Sequence, residues 1–186
     1  MKLSRKASVT KSMILDNAFT LLREEGIEQV TARKLAAKTG CSTQPIFRLY
    51  ENMDRLTGDV YNRAAAFFEA FCEENPRKSE TPFLDLGMAY IHFASEEKHV
   101  FRLLFLSGFS GGKGMYELLS GTKGNVGREV ARAKAAGVRG AGELFMKIWI
   151  FIHGCACMSL TGDFDLNEEE TRELLHSIYQ SYTEAI

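Results

Sequence analysis

The stretch TARKLAAKTGCSTQPIFRLYEN, residues 31–52, decides the fold of this chain. Two short helical patterns lie in it, and only a Gly-Cys-Ser turn separates them. Thr31 is a good N-cap for the first helix, and Gly40 is suited to the left-handed position that ends it. Ser42 is expected to cap the second helix, which ends near residues 49–50. Two short helices joined by such a turn are the pattern of a helix-turn-helix.

The second helix of this pair is short and polar at its start. Leu35 on the first helix and Ile46 on the second are apolar, so they are expected to lock the two helices together. Thr43, Gln44 and Arg48 would then face outward. A helix is about 10–12 Å across and fits a DNA major groove about 12 Å wide. The pattern therefore favours a DNA-reading element, although an ordinary hairpin in a helical core has the same spacing.

Nearly all of the remaining sequence has helical periodicity, with apolar residues three or four positions apart. The predicted fold is all-α, with about nine helices and no strand. It divides into a helix-turn-helix DNA-binding domain over 1–52 and a helical effector-binding and dimerisation domain over 53–186. Caps and breakers place helices over 10–25, 32–39, 42–50, 53–74, 81–97, around 100–106, over 128–137 and 143–160, and after an Asn167 cap. Asn52 or Asp54 is expected to open the long helix that ends near residue 74.

Charge is distributed unevenly along the chain. Residues 1–50 hold nine Lys or Arg and four acids, a net charge of +5, so the remainder carries −6 to give the overall −1. Such an asymmetry indicates a polyanion partner for the first part, which we expect to be double-stranded DNA. The basic tail with Lys2, Arg5, Lys6 and Lys11 would track a DNA backbone or minor groove. A solubilising end without structure is the alternative.

The sequence predicts a cytoplasmic protein with no membrane partner. The four cysteines show no paired CxxC spacing, so they are expected to be reduced thiols. The basic start MKLSRKASVTKS lacks the apolar segment of a signal peptide. The longest apolar run, residues 144–160, is interrupted by Lys147 and His153. We expect it to be too short for a membrane span and to form a buried or subunit-facing helix.

Residues 10–60 resemble the DNA-binding domain of the tetracycline-repressor (TetR) family of bacterial transcriptional regulators. The matching stretches are ILDNAFTLLREEGIEQVTARKLAAKTGCS and IFRLYENMDRL, with a Thr-led helix, an Ala-x-x-x-Gly turn and a Ser-led recognition helix. Further along, VARAKAAGVRG followed by WIFIHGCACMSLTG is similar to the Trp/His-Gly regulatory domain of part of that family. The resemblance implies a DNA-binding transcriptional regulator.

The resemblance also carries DNA-binding roles to individual residues. Arg33 would reach a base edge or phosphate, Gln44 would pair with an adenine edge, and Arg48 would grip phosphate or guanine. Phe47 departs from the family pattern, where a phosphate-contacting Tyr is common, and this predicts fewer backbone contacts. The predicted DNA-binding set is Thr31, Arg33, Ser42, Thr43, Gln44, Pro45, Phe47, Arg48 and Tyr50. The resemblance also implies that Tyr50 packs against the following long helix, with its hydroxyl toward the DNA backbone.

A palindromic DNA site requires a twofold protein, so a homodimer is expected. The last two helices are the candidate interface. The helix from Glu143 is apolar nearly all round, and Gly154, Ala156 and Ser159 are small enough to let a second helix approach closely. A helix buried within one protomer would show the same pattern.

A small apolar or aromatic effector is expected to release the protein, as a repressor, from its operator. Residues 83–160 are rich in Phe, Tyr and Met; most such residues fill a core, but ligand pockets are lined in the same way. Trp149, His153 and Cys157 follow at i, i+4 and i+8 on one helix face. A satisfied core histidine is the alternative for His153. The predicted ligand-binding set is Phe93, Phe105, Met146, Trp149, His153 and Cys157.

An enzyme and a protein-binding helical adaptor are the alternatives to a regulator. The Gly-rich segment GFSGGKG is similar to a phosphate-binding loop. However, no strand is predicted before it, and Gly114 occupies the position after the Lys where such a loop has Ser or Thr. Neither an HExxH nor a GxSxG motif appears in the sequence. We expect no enzymatic activity, no cofactor and no metal site.

Overall fold

The computed structural model describes residues 8–75, 78–108 and 124–184. These residues form nine α-helices and one 3₁₀ turn, Ile27–Gln29, and contain no strand. The predicted all-α class and helix number are confirmed for this part of the chain. The helices are α1 (Lys11–Glu25), α2 (Ala32–Thr39), α3 (Gln44–Leu49), α4 (Met53–Glu74), α5 (Leu84–Glu96), α6 (Lys98–Phe105), α7 (Gly124–Ala135), α8 (Ala141–Thr161) and α9 (Glu168–Glu184).

Helix α2 begins and ends where its local sequence predicts. The Thr31 hydroxyl accepts a hydrogen bond from the Lys34 amide at 3.3 Å, as an N-cap does. Gly40 ends the helix with φ 72°, in the left-handed region where a side chain would be strained. The next amide, of Cys41, donates to the Ala36 carbonyl at 3.0 Å. These contacts turn the chain sharply after α2.

Helix α3 begins one residue later than a Ser42 cap would require, so that prediction is wrong. The first carbonyl to accept a helical hydrogen bond is that of Thr43, from the Phe47 amide at 3.3 Å. Thr43 makes no side-chain cap hydrogen bond. The residues directly after Gly40 belong to the turn that ends α2. The amino end of α3 therefore has no side-chain cap.

The start of α5 depends on a contact distant in sequence. The predicted start near Thr81 is wrong, because Phe83 has φ 66°, a left-handed value that is unusual for a residue with a side chain. The Phe83 amide donates to the buried carboxylate of Glu129 at 2.9 Å. The helix therefore begins only at Leu84.

The start of α7 is likewise set from another helix. It begins at Gly124 rather than near residue 128. The carboxylate of Glu69 on α4 accepts hydrogen bonds from the Asn125 amide at 2.9 Å and from the Asn125 side chain at 2.8 Å. An acidic side chain at a helix amino end satisfies free amides and stabilises the first turn. The extra turn of α7 thus rests on a contact across the fold.

Two other predicted caps are confirmed. The Asn52 side chain accepts a hydrogen bond from the Arg55 amide at 2.9 Å and starts α4. The Asn167 side chain accepts from the amides of Glu169 and Glu170 at 2.9 and 3.0 Å at the start of α9. Both are N-cap asparagines, whose loss typically costs about 1 kcal/mol.

The hydrophobic core runs without interruption from α1 to α9. Helix α8 packs along α5, with α7 and α9 against its other sides, and α1 contacts both α4 and α6. Arg23 on α1 donates to the Glu97 carboxylate just before α6, at 2.9 Å from Nε. Helix α1 therefore joins the helix-turn-helix pair, α2 and α3, to the rest of the chain.

Helix α8 has 21 residues, so the expectation that it is too short to span a membrane is wrong. Among the described residues, α8 is the one helix that is long enough and apolar enough to cross a membrane, judged by length and composition alone. Leu144, Ile148 and Ile152 on it are at most 3% exposed and belong to the core. A core helix of a helical bundle has the same length and composition.

One side of α8 stays uncovered. Ile150 and Met158 are 64% and 45% exposed, and Gly154 between them is exposed too. We call these three residues the α8 stripe. Ala156, which was expected on the dimer face, is fully buried inside the protomer, because it lies on the opposite side of the helix. Ser159 is half-buried.

Two predicted features lie outside the described residues. They are most of the basic tail, with Lys2, Arg5 and Lys6, and all but the first residue of the segment GFSGGKG. Lys11, the last cation of that tail, is the first residue of α1.

Candidate nucleic-acid interface and ligand cavity

The outer face of α3 carries polar side chains on an apolar base. Ile46 on α3 and Leu35 on α2 are fully buried in the same hydrophobic core, as the pattern predicts. Thr43, Gln44 and Arg48 are exposed. We call these three residues the reading face. A short helix with its apolar side locked and its polar side free can enter a major groove without disturbing the core.

The remaining predicted DNA-binding residues surround this face. Thr31, Arg33 and Ser42 are exposed, and Pro45 is half-buried in the first turn of α3. Phe47 is 49% exposed, which is high for so large an apolar ring. Each of these five residues can meet a surface laid against the two helices.

The cations of this region divide into paired and unpaired groups. Lys34 Nζ lies 2.5 Å from the Glu25 carboxylate, and Lys38 Nζ lies 2.6 Å from that of Glu24. Neither Arg33 nor Arg48 makes an ion pair within the described part of the chain. Those two guanidinium groups keep their charge and donors for an external partner such as a phosphate.

Tyr50 was predicted to contact DNA, and its position corrects that prediction. Its side chain is 3% exposed, and its hydroxyl is buried near the Asp59 carboxylate of α4. Lys11 Nζ lies 4.7 Å from the Tyr50 ring centroid and 2.8 Å from Asp59. Burial, and next the charge of Asp59, raise the pKa of Tyr50 to about 12. Tyr50 therefore positions the end of α3 against α4 rather than touching DNA.

Five helices of the carboxyl half enclose a small apolar cavity. Its volume is about 30 Å³, enough for about one water molecule. We call it the aromatic cavity, because its walls include the rings of Phe68, Phe83, Tyr90, Phe105, Phe145 and Trp149. Leu86, Gly87, Val126 and Ile152 complete the apolar lining, and Glu69 and Asn125, bonded to each other, lie at its edge. A larger ligand requires the walls to move apart.

The predicted ligand-binding residues have different relations to this cavity. Trp149 and Phe105 line it. Phe93 does not: it is fully buried behind the wall, with its ring centroid 4.9 Å from that of Phe68. Met146 is half-buried on α8 and does not line it either. Phe93 on α5 has a packing role, because its ring is held among those of Phe67, Phe68 and Phe71. Met146 on α8 also lies outside the lining, which α8 contributes to through Phe145, Trp149 and Ile152.

His153 and Cys157 form a hydrogen-bonded chain behind Trp149. The Tyr90 hydroxyl lies 2.9 Å from His153 Nδ1, and the Cys157 sulfur lies 3.6 Å from His153 Nε2. The Trp149 ring stacks on the imidazole with centroids 4.7 Å apart. Burial lowers the pKa of His153 and raises the pKa of both Tyr90 and Cys157. All three groups are therefore uncharged at neutral pH, and His153 is a satisfied histidine.

Sequence reasoning missed several residues of the cavity wall. Phe68 and Tyr90 are the most central of them. Their rings pack edge-on against each other, and each also packs edge-on against Phe105. Aromatic spacing on α4 and α5 was visible in the sequence, but only helix packing decides which rings meet. The described residues contain no group of three or more His, Cys, Asp or Glu side chains that could hold a metal ion.

Comparisons with known proteins agree with this architecture. The family model of the tetracyclin repressor-like C-terminal domain matches residues 83–182. No curated protein sequence matches the chain significantly. A TetR-like transcriptional regulator from Rhodococcus sp. RHA1 superposes with a TM-score of 0.65 at 12% identity, over 100% of both chains.

Two further solved structures have the same fold. A protein of unknown function from Rhodococcus sp. RHA1 has a TM-score of 0.70 at 18% identity, over 98% of this chain and 99% of its own. A TetR-family transcriptional regulator from Haemophilus influenzae RD has a TM-score of 0.61 at 18% identity, over 91% of this chain and 93% of its own. Because the family model covers more than half of the chain, the protein belongs to the tetracycline-repressor family of DNA-binding transcriptional regulators.

Proposed function

We propose that the protein is a homodimeric repressor that binds a palindromic operator through α3 and leaves it when a small apolar or aromatic effector enters the aromatic cavity. Residues 1–52 serve as the DNA-binding domain, and residues 53–186 bind the effector and the second protomer. The protein acts in the cytoplasm, where its four unpaired cysteines stay reduced.

The reading face carries this proposal. Gln44 and Arg48 are exposed on a short helix whose opposite side is fixed by the buried Ile46. A Gln amide matches the adenine edge, and an Arg fork matches guanine or a phosphate. Arg33 supplies a second unpaired guanidinium on the preceding helix. Few phosphate contacts accompany these groups, because Lys34 and Lys38 are already engaged with α1.

The α8 stripe is the proposed centre of the dimer interface. Beside it runs an apolar groove of about 500 Å³, which Phe164 and Leu166 of the α8–α9 connection help to line. The exposure of Ile150 and Leu166, 64% and 38%, is costly for a protomer alone and is removed when a second copy covers them. Gly154 lets the two α8 helices approach closely, since a Cβ there would meet nothing within 4 Å of its own protomer.

Helix α4 links the cavity to the reading face. It is about 33 Å long, from its 22 residues at about 1.5 Å each. Phe68 lines the cavity, while Asp59, nearer the amino end, lies beside Tyr50 and Lys11. An effector that separates Phe68 from the other walls would tilt this rod and shift α3. Two recognition helices that no longer lie about 34 Å apart cannot both enter one face of DNA.

The test is binding of the full-length protein to DNA from upstream of its own gene, measured by fluorescence anisotropy. We expect two protomers per site, protection of two half-sites about one helical turn apart in footprinting, and affinity that falls by more than about tenfold between roughly 50 and 200 mM salt. A scrambled duplex of equal length is the control.

Equal affinity for the scrambled duplex, or no binding at the lower salt concentration, contradicts the proposal and favours a helical adaptor. Repression is tested separately, with a reporter gene behind the protected site. Loss of expression when the protein is produced agrees with a repressor, and a gain in expression contradicts that part of the proposal.

A further inference from the structure

The indole N–H of Trp149 is a buried donor without a partner. The Trp149 side chain is 8% exposed, and Nε1 makes no hydrogen bond of normal geometry with any described residue. The nearby Tyr90 hydroxyl is already 2.9 Å from His153 Nδ1. Burial, and next the Cys157 thiol, raise the pKa of Tyr90, whereas a weak contact from the Trp149 indole lowers it. That contact does not have the distance and angle of a normal hydrogen bond, so the indole N–H stays unsatisfied. Buried polar groups in proteins almost always have a partner, so this donor requires an explanation.

Trp149 is also part of the wall of the aromatic cavity, so a molecule in the cavity lies against its ring. Among the described residues, the rest of the lining is apolar apart from Tyr90, Glu69 and Asn125. Glu69 and Asn125 are engaged with each other at the edge of the cavity. The indole N–H is therefore the polar group of the wall that an occupant can satisfy.

The charge around the cavity limits which occupant fits. No Lys, Arg or His is part of the lining within the described residues, and the carboxylate of Glu69 lies at the edge. An anion in such a site loses its hydration without gaining a counter-charge. The indole N–H is itself a donor, so an occupant satisfies it by accepting a hydrogen bond and not by donating one. An uncharged acceptor remains as the fitting chemistry.

We propose that the effector is an uncharged, largely aromatic or aliphatic molecule with a carbonyl or ether oxygen, and that this oxygen accepts a hydrogen bond from Trp149 Nε1. The inference rests on the proposed effector role of the cavity and names the chemical class of its ligand. A single trapped water is the competing occupant, since the cavity volume is about 30 Å³.

The experiment uses three small probes of similar shape on the full-length protein. Acetophenone carries the acceptor, α-methylstyrene replaces its carbonyl oxygen with a CH₂ group, and benzoate carries a negative charge. Trp149 is the single tryptophan of the chain, so one indole cross-peak in a ¹H–¹⁵N spectrum reports on it. Binding is quantified from the shifts of the cross-peaks during titration.

Acetophenone is expected to move the indole proton downfield and to bind about tenfold more tightly than α-methylstyrene, because only the ketone satisfies the buried donor. Benzoate is expected not to bind. In Trp149→Phe the tenfold preference disappears, whereas the control Tyr179→Phe, which changes a partly buried ring outside the cavity wall, keeps it.

The inference is overturned if the ketone and the hydrocarbon bind equally, or if the indole resonance does not change. It is also overturned if neither compound binds, which is the result expected when the cavity holds only a trapped water. Because the spectrum of wild-type protein is decisive, a variant that fails to fold does not rescue the proposal. These titrations contain no DNA, so they can fail while operator binding stands, and operator binding can fail while they succeed.

Discussion

The reading face and the aromatic cavity are built in opposite ways. The reading face consists of neighbouring residues, Thr43 to Arg48, whose exposure follows from one buried anchor, Ile46. The aromatic cavity is lined by rings from helices that are far apart in sequence, from Phe68 to Trp149. Its walls are already in contact, so it has almost no free volume before a ligand enters.

This difference agrees with the two tasks that the proposed function assigns to these regions. Contact with DNA requires a rigid, pre-formed surface, because the groove is fixed and a poorly placed side chain loses its base contact. Response to an effector requires walls that can exchange contacts with each other for contacts with the ligand. Caps and ion pairs occur in both parts of the chain, whereas the aromatic packing is concentrated around the cavity.

The largest expected effect comes from removing a ring of the carboxyl half. Phe93→Ala deletes a fully buried side chain that packs against Phe67, Phe68 and Phe71, so the free energy of unfolding should fall by about 3–5 kcal/mol. Phe47→Ala, at a 49% exposed position of the amino half, should cost less than about 1 kcal/mol. Urea unfolding followed by circular dichroism measures both.

Comparable losses in these two variants would mean that the aromatic cluster contributes no more stability than the exposed ring. The contrast between the two regions would then be wrong.

Helix caps provide a matched pair of smaller effects. Asn167→Ala removes two hydrogen bonds at the start of α9, and Thr31→Ala removes one long bond, 3.3 Å, at the start of α2. Each should lower the free energy of unfolding by about 0.5–2 kcal/mol, with Asn167→Ala the larger. Asp at either position should restore most of the loss. A larger loss at Thr31 would show that the amino half depends more on this cap than its geometry indicates.

Exposed ion pairs should matter less than caps in both regions. Asp59→Asn breaks the Lys11 pair, in which the side chains are 57% and 37% exposed. Glu143→Gln breaks the comparable Lys147 pair of α8. Each should change the free energy of unfolding by less than about 1 kcal/mol at low salt. The Asp59 variant should in addition weaken operator binding, since Asp59 lies beside Tyr50, whereas the Glu143 variant should not.

The smallest expected effect is a pH dependence in the carboxyl half. Burial lowers the pKa of His153, so the unfolded chain takes up its proton at higher pH than the folded protein does. Stability is therefore complete above the ordinary histidine pKa and is lost as the pH falls through it. Between about pH 7.5 and 5.5 the wild type should lose more stability than His153→Gln. Parallel pH profiles of the two proteins would show that His153 is not held neutral by burial.

The amino half was largely predictable because its signals are local. Thr31, Gly40 and Asn52 mark helix ends through hydrogen bonds within a few residues, and each was placed correctly. Ser42 was misplaced because the turn after Gly40 extends to Thr43. The packing of Tyr50 on the long helix α4 was expected, but its inclusion among the DNA-binding residues was wrong, since its burial also involves Lys11.

The carboxyl half was less predictable because its determinants are distant in sequence. The start of α5 depends on Glu129, and the start of α7 depends on Glu69. Trp149 was identified from its spacing with His153, but its unpaired N–H follows only from the positions of its neighbours. Long-range packing of this kind leaves no pattern within a single helix.

The most direct test of the account is the ratio of operator to scrambled-duplex affinity in Gln44→Ala and Arg48→Ala, with Lys134→Ala of α7 as a control that also removes one exposed charge. The account predicts that Gln44→Ala, and Arg48→Ala where it reads guanine, lose about 1–3 kcal/mol of that discrimination with unchanged unfolding. Lys134→Ala should keep the wild-type ratio. Wild-type ratios in both α3 variants would contradict the claim that this helix reads DNA.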